Sequence, residues 1–146
     1  MCWRVDRSFR ADTRAPGAAR DFVDVELTRR FAPLARPPVI DDALLVVSEL
    51  VTNAVRAGSS SVSVLVRLHR AELEVAVTDD APGLPEVQHA APSESHGRGL
   101  LIVQMVAAQW GTDDVPAGKC VWAALALPTP VALAAVCGER SRLVSA

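Results

Sequence analysis

The sequence predicts an α+β domain, a two-layer sandwich of helices on a mostly antiparallel sheet. Three observations predict it. Apolar residues recur at helical spacing twice before Gly58. Two-residue alternation then appears twice in close succession, over Val62–Leu68 and Leu73–Val77, as in a hairpin. After a loop, a third helical stretch and a last alternating run follow. The 146 residues are one domain's worth, and a 50% hydrophobic, 22% charged composition supplies one core.

A first strand is expected over Trp3–Ala11, where Trp3, Val5 and Phe9 alternate loosely. Thr13-Arg14-Ala15-Pro16 marks a helix start, because proline is tolerated in the first turn. That helix places Ala19, Phe22, Val23, Leu27 and Phe31 on one side and Arg20, Asp21, Asp24 and Arg30 on the other. Pro37-Pro38 stops it. The second helix starts near Asp41-Asp42, whose charges suit a helix N-terminus. It runs through Leu44, Leu45, Val47, Leu50, Val51, Ala54 and Val55 to Gly58, a glycine just past a helix end. The two alternating strands come next, joined at His69-Arg70-Ala71. Asp79–His96 reads as loop, with Pro82, Gly83, Pro85 and Pro92. Gly97-Arg98-Gly99 opens a third helix, Leu100–Trp110, closed by Gly111. A turn at Pro116-Ala117-Gly118 leads to a last strand, Val121–Leu127. The order is β-α-α-β-β-loop-α-β. One domain spans residues 1–146, with its core at about 8–127 and a C-terminal tail over 128–146.

The net charge of −2 argues against a partner bound by bulk charge, so direct nucleic-acid binding is not expected. The longest apolar runs, such as Val131–Cys137, are too short to span a bilayer. Three cysteines without CxxC spacing argue against a disulfide framework or zinc site. The residues after Met1 carry no apolar leader, and a cytoplasmic location is the expectation.

Three short stretches carry chemistry. In Ser48-Glu49-Leu50-Val51-Thr52-Asn53-Ala54-Val55-Arg56, the residues Glu49, Asn53 and Arg56 stand at i, i+4 and i+7 on one helix face. A carboxylate, an amide oxygen and a guanidinium on one stripe suit a Mg²⁺-phosphate, because magnesium takes hard oxygen ligands and shares its shell with phosphate. Alone, the stripe equals any solvated helix face. The second stretch, Val77-Thr78-Asp79-Asp80-Ala81-Pro82-Gly83, follows a strand directly. A strand-end aspartate can accept a hydrogen bond from an exocyclic amine such as that of adenine, and a nearby glycine lets a flat ring approach. Alone, it equals a common turn. The third, Ser95-His96-Gly97-Arg98-Gly99-Leu100, sits at a helix mouth, where free N–H groups and the dipole favour anions. A lone GxG there is weak. Their order and spacing make the joint signal stronger than its parts.

Together these stretches resemble the GHKL, or histidine-kinase-like, ATPases over roughly residues 8–127. Glu49–Arg56 resembles the N box of that superfamily. Asp79–Gly83 resembles its G1 box, usually DxGxG, and Gly97–Leu100 its G2 box. Gly118-Lys119-Cys120 stands where the superfamily has Gly-x-Thr. The ELVTNAV string is most similar to the short anti-sigma factors with serine-kinase activity. The resemblance implies a Bergerat-type ATP-binding fold with ATP and Mg²⁺ as cofactors. It implies that Asn53 coordinates Mg²⁺, that Glu49 is the general base, and that Asp79 reads the adenine amino group. Gly83 leaves room for the ring. Gly97 and Gly99, flanked by His96, Arg98 and Leu100, admit the phosphates, and residues 84–96 form a lid. Arg56 and Cys120 complete the nucleotide-binding set.

The sequence departs from the pattern at Ala81 for the first G1 glycine, Cys120 for threonine, Ser95 for an arginine, and Ala57 for a frequent histidine. The expected function is an ATP-binding, anti-sigma-factor-like serine/threonine protein kinase acting by partner switching. Its expected partners are a sigma factor and an anti-sigma antagonist; regulators of this type often form homodimers. The departures support an alternative, an adaptor that only sequesters protein partners. A detached histidine-kinase catalytic domain is the other alternative. His69, His89 and His96 lack metal-ligand spacing. Leu101, Met105 and Ala108, at helical spacing, are expected in the core.

Overall fold

The computed structural model describes residues 3–32, 34–81 and 99–129. Strand β1 covers Trp3–Arg10, helix α1 Ala15–Phe31, helix α2 Val39–Arg56, strand β2 Ser61–His69 and strand β3 Glu72–Asp79. Helix α3 covers Gly99–Val106, strand β4 Gln109–Val115 and strand β5 Gly118–Ala126. The five strands form one sheet in the order β1-β2-β3-β5-β4, and every neighbouring pair is antiparallel. The expected α+β two-layer sandwich is therefore the architecture found.

The core lies between the sheet and the helices. Val62, Val64, Val66, Leu73, Val75 and Val77 turn one sheet face to α2, which answers with Ala43, Val46, Val47, Leu50, Val51 and Ala54. Each fully buried valine or leucine contributes about 1.5–3 kcal/mol relative to exposure. Helix α1 packs on the flank of α2 that carries Ser48, where Arg20 Nη1 donates to Ser48 Oγ at 3.4 Å. Arg36 joins the two helices at their other end, donating to Asp24 at 2.7 Å and Asp41 at 2.9 Å. Helix α2 begins two residues before Asp41, directly after Pro38, and ends as expected at Gly58, whose φ is +84°.

Two expectations fail near α3. The stretch Leu100–Trp110 is not one helix. The Ala107 N–H still donates to Val103 O, but the Ala108 N–H donates across to Ala124 O, at 2.9 Å in each case. The chain thus leaves the helix and enters the sheet as β4. Gly111 is a strand residue, where a Cβ would lie 2.7 Å from Trp122 Cζ2. Bare backbone is what lets the indole lie across β4. Met105 is also not core, being 83% exposed; Leu100 and Val103 face inward instead. The helical register places the apolar seam one residue earlier than the Leu101-Met105-Ala108 spacing suggested.

Candidate functional site

Glu49 and Asn53 sit one turn apart on α2, half-buried, with Arg56 exposed at its end. Helical spacing puts them on the same flank as Asp42. Asp42 lines a cleft of about 360 Å³ with Pro37, Val39, Val106 and Leu125. That flank therefore faces α3, away from α1. Because the end of α3 meets the start of α2, the two helices run in opposite directions. The eight residues of α3 span about 12 Å, which returns its first turn to the level of Glu49 and Asn53. Gly99 and Leu100 open that turn. Leu100 is buried in the core, so its side chain anchors the helix while the backbone N–H groups of the first turn remain for an anion.

Asp79 ends β3 beside the first residues of β2, opposite Val62, and so at the α2 C-terminal end of the molecule. It is only 5% exposed. Its Oδ1 accepts the Ala81 N–H at 2.8 Å and lies 3.9 Å from Lys119 Nζ. Ala81 is itself buried. Among the described residues Arg70 is the one non-glycine with positive φ, so the alanine in the G1-like segment sits without backbone strain. Asp80 points elsewhere. Its carboxylate accepts the Ser60 hydroxyl, the Ser60 N–H at 2.8 Å and the Ser61 N–H at 3.5 Å. The Ser60 hydroxyl, foremost, holds the Asp80 carboxyl below its ordinary 3.8. This clamp ties the end of β3 to the junction after α2.

Cys120 does not stand beside Asp79. It is opposite Thr78, while Lys119 is opposite Asp79. Successive strand residues face opposite ways, so Cys120 lies on the sheet face turned from the helices. Burial pushes its thiol up, partly offset by a hydrogen bond with Thr78. The residue that β5 offers to the Asp79 end is Lys119, the only lysine in the chain, which the motif comparison passed over. Its strand parity with Asp79 was the available signal. Gly83, His96, Gly97 and Arg98 lie outside the described residues, as do Ser95, the lid of residues 84–96 and the tail from residue 130.

The residues present fit a Mg²⁺-nucleotide. Among the described residues neither the Glu49 nor the Asn53 side chain has a hydrogen-bond partner, and both are half-buried. Their polar atoms are therefore open to water or to a ligand. Asp79 offers a buried acceptor, and α3 offers its N-terminal N–H groups. Among the described residues no group of three or more His, Cys, Asp or Glu side chains gathers to hold a metal; one oxygen ligand beside phosphates is the usual magnesium arrangement. No described helix is long and apolar enough to cross a membrane.

No curated protein matches the chain at a significant level. A family model does, that of the histidine kinase-, DNA gyrase B- and HSP90-like ATPases, over residues 39–129. The match runs from the first residue of α2 past the end of β5 and takes in Glu49, Asn53, Asp79 and Lys119. It covers well over half of the chain, and the protein therefore belongs to this ATPase family.

Proposed function

We propose that this ATP-binding domain is an anti-sigma-factor-like regulator with serine/threonine protein kinase activity toward an antagonist protein. It acts by partner switching, holding a sigma factor in one state and the antagonist in the other. The supporting observation is Glu49, a half-buried carboxylate without a partner among the described residues, one helical turn from Asn53. ATP supplies the phosphoryl group. Asn53 would hold the Mg²⁺ that accompanies the phosphates, and Glu49 would take the proton of the acceptor serine hydroxyl. Phosphoryl transfer is mainly positioning and charge neutralisation, so a small set of groups suffices.

The test is transfer of label from γ-labelled ATP to a cognate antagonist. Label on a serine of the antagonist is expected. The Glu49→Gln variant should slow transfer by roughly 10²–10⁴-fold with the affinity for Mg²⁺-ATP kept. Binding without transfer to any cognate partner overturns the kinase reading and leaves a nucleotide-dependent adaptor.

A further inference from the structure

We propose that Lys119 is a positioning residue that sets the base preference of the nucleotide site by pinning Asp79 through one of its two oxygens. The inference rests on Asp79 as the base-reading carboxylate.

The observations are these. Lys119 and Asp79 are directly paired residues of β5 and β3. Their side chains are 9% and 4% exposed, with Nζ 3.9 Å from Oδ1. Burying an ammonium is costly unless an anion compensates it; Asp114 is its exposed neighbour on β4, and Asp79 is the buried carboxylate that lies within ion-pair distance. Every other strongly basic side chain in this sequence is an arginine. The single buried place beside Asp79 takes the compact point charge instead of the planar fork.

The contacts divide the carboxylate. Oδ1 takes the Ala81 N–H and faces Nζ. Oδ2 has no partner. The torsion that turns a carboxylate is broad and roughly two-fold, so an unpinned Asp79 swings. With Oδ1 hydrogen-bonded to the Ala81 N–H and drawn toward the ammonium, Oδ2 has a fixed direction and acts only as an acceptor. A fixed acceptor favours a 6-aminopurine, which donates there, over a 6-oxopurine, which presents a second acceptor.

The experiment compares the dissociation constants of ATP and inosine triphosphate by calorimetry, for the wild type, Lys119→Met and Lys119→Arg. The wild type is expected to prefer ATP by roughly tenfold or more, the scale of one hydrogen bond to a charged group. Methionine removes the ammonium that faces Oδ1 and leaves only the Ala81 N–H on it, so the carboxylate is less firmly fixed, and arginine's fork engages both oxygens and consumes Oδ2. Both variants are therefore expected to lose most of the preference, through weaker ATP binding and nearly unchanged inosine triphosphate binding. Lys119→Arg preserves the buried charge pair, so it serves where Lys119→Met fails to fold. A purely structural ion pair predicts that a folded arginine variant keeps the wild-type ratio, and that result overturns the proposal. A wild type that binds both nucleotides equally overturns Asp79 as the base reader, and the role of Lys119 with it. A wild type that binds neither overturns the nucleotide site itself.

Discussion

Gly118 stands where a side chain has no room. Its φ is +146°, and a Cβ there would fall on the Asp79 carbonyl oxygen and lie 2.8 Å from Asp80 Cα. Bare backbone brings β5 against the end of β3, which is what puts Lys119 beside Asp79. Gly118→Ala should therefore cost about 1–3 kcal/mol, from crowding and an unfavourable φ. It should also weaken ATP binding, because β5 must retreat from Asp79. Urea unfolding and calorimetry of the same variant check both, and wild-type values in both would refute the close approach. Ser59 poses the opposite case. It is 7% exposed, and its hydroxyl oxygen has no hydrogen-bond partner. A buried polar group left unpaired costs roughly 1–3 kcal/mol. Ser59→Ala removes that cost and is expected to raise stability by about 1 kcal/mol in the same unfolding measurement. A loss of similar size would mean the hydroxyl has a partner in solution.

The Asp80 clamp acts between elements, joining the end of β3 to the segment that leads from α2 into β2. Hydrogen bonds from Ser60 hold the Asp80 carboxyl below its ordinary 3.8. A depressed folded value means that the unfolded chain binds the proton more readily. The stabilisation is then complete above the ordinary value and is lost as pH falls through the folded one. Urea midpoints of the wild type and Asp80→Ala should differ near neutral pH, begin to approach each other below the ordinary 3.8, and converge once the pH is beneath the lowered folded value. A gap that persists there would assign the effect to packing instead of charge. The elements also show what sequence makes legible. Helix α2 was readable because one apolar stripe, an acidic start and Gly58 agree. Strand β4 was not, because Leu100–Val106 carries a helical pattern straight into Trp110. What ends α3 is the Ala108 N–H bonded to Ala124, a long-range contact that local pattern does not encode. Gly111 read as a helix stop for the same reason, its true neighbour being Trp122 on another strand.

At the scale of the whole molecule, the site exists because antiparallel topology collects distant residues at one end. Glu49 and Asn53 come from α2, Asp79 from the end of β3, Lys119 from the start of β5, and backbone N–H groups from the first described turn of α3. The α2 stripe and Asp79 were legible because each lies in a compact motif. The exchange of Cys120 for Lys119 was not, since it depends on which face of β5 turns to the helices. No one of these elements forms the site without the others, so ligand binding is coupled to global folding. A nucleotide that binds only the folded chain should stabilise it by about 2.7 kcal/mol at a hundredfold excess over its dissociation constant. For a chain of this size that raises the melting temperature by roughly 2–8 °C. The shift should require Mg²⁺ if, as proposed, the metal joins Asn53 to the phosphates. Asn53 is half-buried and its side chain has no partner among the described residues, so Asn53→Ala should melt close to the wild type without nucleotide, within about 0.5 kcal/mol. With Mg²⁺-ATP the variant should show little or no shift. A variant that melts early without ligand would make Asn53 a structural residue, and one that keeps the full shift would move the metal ligand elsewhere.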